Sequence, residues 1–273
     1  MKQKGAPKYG PAHKIILAVL IGIMAVSGYR IAGKYIDDWN MEREYKQLAQ
    51  MVKEETTAVP EPRSAAEPEE ETEQEEETEA PYVSPIDFEA LAQINPDVVG
   101  WITIPDTNID YPIVQSQDND TYLRKSFEGE STAAGSIFLD FESQSDMEGY
   151  NNIIYGHHMK NGSMFKDVVE YKDEQYFKDH QYFEIYTPKE TIHLKAVSCY
   201  YIENDPMVRK TKFHDDDSFQ AFVREMLEPC EYAEIPQDPV SRLFVLVTCS
   251  YEVEDGRTVL FAVETGEEKE TAR

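Results

Sequence analysis

From residue 98 to residue 264 the chain switches repeatedly between short apolar, β-branched or aromatic runs and polar breaks. Eight runs read as strands, at 98–104, 109–114, 136–140, 152–155, 182–187, 191–200, 243–248 and 258–264. The breaks carry turn chemistry, as in Pro105-Asp106-Thr107-Asn108 between the first two runs. Two segments have helical spacing instead. Residues 87–93 are stopped by Asn95-Pro96, because the residue before a proline is pushed out of the helical region. Residues 215–228 open on three aspartates, which suit the positive end of a helix dipole, and place Phe219, Phe222, Val223, Met226 and Leu227 on one face. The pattern predicts a mainly β domain, a barrel or a sandwich, with inserted helices; periodicity does not choose between the two.

The N-terminal pattern is different. Residues 15–29 form an unbroken apolar run behind Lys2, Lys4, Lys8 and Lys14, and the run reaches Gly33 if Arg30 snorkels. We read residues 1–36 as a lysine-rich cytoplasmic tail and a transmembrane signal-anchor. The competing reading is a cleavable signal peptide cut near Ala25-Val26-Ser27-Gly28, but the polar segment that follows still reads as helix. Lysines before the run, with few after it, keep the N-terminus cytoplasmic and send the rest outside the cell. Residues 37–53 carry Trp39, Tyr45, Leu48 and Met51 at helical intervals, which fits either a helix packed on the domain or a solvated juxtamembrane helix. Residues 54–80 hold twelve glutamates and one arginine and almost no large apolar side chain. Such a segment cannot repay the entropy of ordering, so it is expected to be a disordered linker. Residues 81–273 remain as the globular domain.

Charge narrows the partners. The chain of 273 residues carries a formal charge of −27, although residues 1–53 have nine Lys/Arg against four Asp/Glu. The excess acid therefore lies in the linker and the domain. An acidic domain repels phosphates, which argues against nucleic acid and favours a cationic partner.

The candidate chemistry sits at strand ends. Of three cysteines, Cys199 falls inside an alternating strand and Cys230 follows a helix beside Pro229, positions that suit inert thiols. Cys249 ends the run Val247-Thr248-Cys249, and Arg257 opens the next strand across a short acidic loop. A reactive thiol belongs near positive charge at a strand's open end. It also needs an imidazole partner. His157, in Tyr155-Gly156-His157-His158, stands just past a strand, where Gly156 lets the backbone turn. No metal or cofactor site is evident: His157 and the adjacent His158 face different ways on an extended segment, and no carboxylate cluster completes a ligand set.

These motifs, together with the lead-in from Ile94 to Asp140, resemble the class B sortases of Gram-positive cell surfaces over roughly residues 88–263. The resemblance implies a closed β-barrel of about eight strands, with an N-terminal helical element and a helix inserted before the cysteine strand. It implies a catalytic trio of Cys249, His157 and Arg257. It also implies that Tyr155 and Thr248 line the cleft and that Asn119 and Leu123 lie in a loop that contacts the sorting peptide. The sequence departs from some relatives at Val247, where they carry serine, and at Ser250, where they carry an acid. The implied activity is a membrane-anchored transpeptidase that cuts an LPXTG- or NPQTN-like sorting signal through a thioester and passes the acyl group to a cell-wall precursor amine. A cysteine hydrolase and a non-catalytic surface adhesin are the alternatives. A papain-like peptidase would place its cysteine before its histidine, and a thiol redox protein would carry Cys-x-x-Cys; this chain does neither.

Overall fold

The computed structural model describes residues 11–54, 82–203, 206–249 and 256–266. The linker expected at 54–80 falls outside them, apart from Glu54. So do residues 250–255 between Cys249 and Arg257.

Four helices and eight strands lie in the described residues: α1 (Pro11–Glu54), α2 (Phe88–Ile94), β1 (Val98–Thr103), β2 (Asp110–Val114), β3 (Ile137–Leu139), β4 (Asn151–Tyr155), α3 (Glu174–Asp179), β5 (Tyr182–Tyr186), β6 (Thr191–Glu203), α4 (Asp216–Leu227), β7 (Leu243–Cys249) and β8 (Gly256–Glu264). The strands close into a barrel in the order β1-β2-β3-β4-β7-β8-β6-β5, which decides between barrel and sandwich. Six of the pairings are antiparallel; β2/β3 and β4/β7 are parallel. The β4/β7 pairing fixes the site, because parallel neighbours finish at the same rim.

Two units divide the chain, one ending at Glu44 and the other starting at Tyr45. In the first, Ile15, Leu17, Leu20, Ile23, Met24 and Ile31 are all exposed. By length and composition this helix is able to cross a membrane. In the second, the last turns of α1 pack on the barrel. Tyr45, Leu48 and Val52 follow helical spacing and are buried. The Tyr45 hydroxyl donates to the Gly135 carbonyl at 3.3 Å, and its ring meets Tyr111 edge-on with centroids 5.1 Å apart.

α4 covers one outer face of the barrel. Its capping box, Asp215 with Ser218, satisfies two backbone donors at its N-terminus. Phe219, Phe222, Val223, Met226 and Leu227 then bury against Val245, Val247, Val259, Phe261 and Val263. At about 1.5–3 kcal/mol per large buried side chain, this face anchors the connection between β6 and β7. At the start of β7, Arg242 is held by Glu190 and Glu264 at 2.6 Å each, joining the β5–β6 turn to the end of β8.

Candidate active site

β4 and β7 run in parallel register up to Tyr155 opposite Val247, and Gly156 adds one more bond from its amide to the Val247 carbonyl at 3.1 Å. His157 and Cys249 each lie two positions beyond that last pair, on the same rim. β8 leaves this rim in antiparallel register with β7, so Cys249 and Arg257 are direct Cα partners. Three backbone segments thus bring the expected trio together. The Arg257 side chain is half-buried and donates from Nη1 to the Gly256 carbonyl at 3.1 Å.

Gly156, where the sequence suggested a turn, does not have positive φ. A Cβ there would lie 2.5 Å from Ile137 Cδ1 and 2.6 Å from the Phe165 ring. Close packing beneath the histidine is what demands glycine. His158 forms an isolated bridge with Met164.

The His157 ring is oriented by backbone. Its Nε2 lies 2.8 Å from the Leu123 carbonyl. A carbonyl only accepts, so this bond places a proton on Nε2. The short 3-10 turn Thr121–Leu123 that carries the carbonyl is itself fixed. Buried Tyr122 donates to Asp97 Oδ2 at 2.7 Å, and burial followed by this bond pushes its pKa up to about 12. On the other side the turn rests on Gly135, at φ 59°, where a Cβ would stand 2.4 Å from the Tyr122 carbonyl oxygen and 2.7 Å from that of Leu123.

The residues implied to line the cleft, Tyr155 and Thr248, and those implied to lie in the peptide-contacting loop, Asn119 and Leu123, are placed as follows. Leu123 presents its side chain at the surface, 36 % exposed, and its carbonyl to His157. Asn119 uses both ends of its amide internally: Nδ2 donates to Asp140 Oδ2 at 2.9 Å, and Oδ1 accepts from the Phe141 amide at 3.1 Å. The Tyr155 hydroxyl donates to the same Asp140 oxygen at 2.8 Å, and burial and then the Asp140 charge push its pKa above the usual tyrosine range. Thr248 is sealed inside the wall at 1 % exposure, in register with buried Thr258; neither hydroxyl has a hydrogen-bond partner among the described residues.

Sequence reasoning missed Asp140, Gly135 and Arg209, whose Nε donates to Asp140 Oδ2 at 3.2 Å. An aspartate directly after the apolar Ile137-Phe138-Leu139 is a local signal for the first. Nothing local foretells that its carboxylate is fully buried. The other two cysteines are buried free thiols, and burial pushes the Cys199 thiol up. No metal-binding cluster occurs among the described residues.

Cys249, His157 and Arg257 thus share one rim of a closed β-barrel. A family model described as Sortase domain matches residues 102–265, more than half of the chain, and the chain belongs to that family of cysteine transpeptidases. Sortase B of Listeria monocytogenes is 33% identical over 173 residues, covering 62% of this chain and 70% of the relative. A solved Staphylococcus aureus sortase B-substrate complex matches with a TM-score of 0.69 and 26% identity, over 85% of this chain and 100% of that one. A sortase B complexed with triglycine matches with a TM-score of 0.61 and 29% identity, over 66% and 86%. The class B resemblance and the closed eight-stranded fold are therefore established.

Proposed function

We propose that this protein is a single-pass membrane enzyme whose extracellular domain cuts a C-terminal sorting signal, of the LPXTG or NPQTN type, in surface proteins and joins the new carboxyl end to a cell-wall precursor amine. The observation that carries the reading is the register of Cys249 against Arg257 on the rim where β4 delivers His157.

Cys249 attacks the scissile carbonyl as thiolate, its charge supported by the imidazolium of His157. Arg257, always protonated, aims a fixed fork of donors at the developing oxyanion. His157 gives the leaving amine a proton from Nδ1 as the C–N bond breaks, which leaves a thioester on Cys249. Neutral His157 then takes a proton from the incoming amine. The amine attacks the thioester, the new amide forms, and the cysteine leaves as thiolate. Asn119 and Leu123 shape the wall beside the sorting peptide, with Tyr155 and Thr248 behind it. That a related sortase B binds triglycine supports an amine acceptor.

The apolar side chains of α1, exposed before residue 37, support a lipid-embedded anchor, and the lysines ahead of them support a cytoplasmic N-terminus. Residues 37–53 continue that helix, 54–80 form the linker, and 81–273 hold the catalytic barrel.

The test is to incubate the full chain in detergent with sorting peptides, with and without triglycine, and to read intact mass. A Cys249 acyl adduct that yields triglycine-linked product supports the proposal. Cleavage with no amine incorporation would make the protein a hydrolase. No adduct with any peptide, together with undiminished surface adhesion by the Cys249→Ala variant, would make it an adhesin.

A further inference from the structure

The reading above leaves unused a fully buried carboxylate close to the rim. Asp140 follows β3 and has 0 % exposure. Its Oδ2 accepts from Tyr155 at 2.8 Å, from Asn119 Nδ2 at 2.9 Å and from Arg209 Nε at 3.2 Å, and forms an ion pair with Arg209 Nη2 at 3.2 Å. Its Oδ1 accepts from the Glu142 amide at 2.9 Å. The donors come from separate parts of the chain. Asn119 lies in the loop that leads to the Leu123 carbonyl, Tyr155 ends β4 two residues before His157, and Arg209 belongs to the connection between β6 and β7. That connection is pinned from a second direction, because Asn151 Nδ2 donates to the carbonyls of Val208 and Lys210, each at 3.0 Å.

Burying a carboxylate is costly, and for stability alone a packed apolar group serves as well or better. What such a network adds is fixed geometry among the elements it joins. Here two of those elements carry the two partners of one contact, the Leu123 carbonyl and the His157 ring, which meet at 2.8 Å.

We propose that Asp140 is a positioning residue that, through Asn119, Tyr155 and Arg209, holds the Leu123 loop, the end of β4 and the β6–β7 connection as one frame and so sets the orientation of His157. This rests on the reading of Cys249 and His157 as the reacting pair. Asp140 itself touches no reacting atom. It acts by keeping Nε2 protonated against Leu123, so that Nδ1 is always the nitrogen that exchanges protons. Asparagine does not replace it: it lacks the charge that pairs with Arg209, and if its oxygen keeps the Oδ2 contacts its NH2 opposes the Glu142 amide donor, whereas the flipped amide opposes Tyr155, Asn119 and Arg209.

The experiment compares Asp140→Asn, Tyr155→Phe and Glu264→Gln in the full chain in detergent, with Cys249→Ala and His157→Ala alongside. Peptide cleavage is measured per folded molecule, and the 15N signals of the His157 ring are assigned by their loss in His157→Ala. Expected for Asp140→Asn is a fall in kcat/KM of about 10–100-fold, the scale of a misplaced catalytic group, together with loss of the fixed Nε2-protonated signature. Tyr155→Phe removes one link of the frame and moves both readouts the same way by less, so it decides the matter if Asp140→Asn does not fold. Glu264→Gln, at the opposite end of the barrel, destabilises without moving either readout. Wild-type kinetics and ring signals in Asp140→Asn, or in Tyr155→Phe where the former does not fold, overturn the positioning role while an inert Cys249→Ala leaves the reaction itself standing. An active Cys249→Ala overturns the underlying reading, and the positioning role with it.

Discussion

Replacing Gly135 with alanine tests whether the Leu123 carbonyl orients His157. At φ 59° an L residue costs about 1–2 kcal/mol. The added methyl would sit 2.4 Å and 2.7 Å from two backbone carbonyl oxygens and 2.8 Å from the Leu123 carbonyl carbon. Real contacts of this kind need more than 3 Å, so the 121–123 turn must move by several tenths of an ångström or more. It cannot move away freely, because Tyr122 is buried and bonded to Asp97. Overpacking of this kind costs about 1–3 kcal/mol. The sum, roughly 2–5 kcal/mol, lies below or near the lower end of ordinary domain stability. Gly135→Ala is therefore expected to fold with a lowered Tm. The displaced carbonyl no longer fixes the 2.8 Å contact with Nε2, and kcat should fall by about 10–100-fold, since errors near 1 Å in a reacting group cost up to that much. The assay is fluorogenic sorting-peptide cleavage below the new Tm, beside thermal unfolding by circular dichroism. A variant with lowered Tm and wild-type kcat would refute the role given to Leu123. One with unchanged Tm would refute the steric argument itself.

Arg257→Lys keeps the charge but loses the planar fork, and should lower kcat about 10²–10³-fold, the loss typical of a missing oxyanion donor; near wild-type kcat would exclude the geometric role. His157→Ala should cost about 10²–10⁴-fold in rate, whereas His158→Ala, on the neighbouring extended position bridged to Met164, should be mild in the same peptide assay. Deleting residues 1–81 strips Tyr45, Leu48 and Val52 from the barrel and removes the bond to Gly135, so both Tm and kcat should drop relative to a protein starting at residue 37; equal values would mean that the helix end is dispensable. Hydrogen bonding to Arg242 holds the Glu264 carboxyl below the usual glutamate range, so the folded state binds its proton less readily than the unfolded one. The stability it contributes is present above about pH 4.3 and is lost as pH falls through the folded value; Tm measured from pH 7 to pH 3 should fall more steeply in wild type than in Glu264→Gln.

The strands were legible because their alternating runs are short and bounded by turn residues. All eight appear, with ends shifted by at most three residues. The largest shift is at β6, which continues to Glu203 because β8 pairs with it all the way back to Gly256. Both expected helices of the domain also appear, at Phe88–Ile94 and Asp216–Leu227. The six-residue α3 was not legible: a helix of that length carries too few turns to display a periodic face. Closure of the barrel was beyond periodicity as well, since the pairing of β1 with β5 joins residues more than 80 positions apart. For the site, the opposition of Cys249 and Arg257 was readable from hairpin logic. The approach of His157 depends on a parallel pairing between strands about 90 residues apart, and only the family resemblance supplied it. Asp140, Arg209 and Gly135 make contacts with distant loops; apart from the position of Asp140 directly after an apolar run, no spacing in the sequence marks them.

The parallel pairing of β4 with β7 explains why the polar groups of this barrel are distributed as they are. At the rim where both strands begin, Arg242 is engaged by two carboxylates that link β7 to the β5–β6 turn and to the end of β8. Four of the five guanidinium N–H groups are committed there to closing the barrel. At the rim where both strands end, the side chains proposed to react must keep their valences for substrate, so in that reading they cannot also hold the structure together. On the proposed reading the holding is passed one layer back, to a buried carboxylate, a carbonyl and a glycine: Asp140 bonds Tyr155, the Leu123 carbonyl meets the imidazole, and Gly135 leaves room for that carbonyl. A substitution in this layer should therefore impair chemistry without touching a reacting atom, whereas an equally destabilising one at the Arg242 rim should cost stability alone.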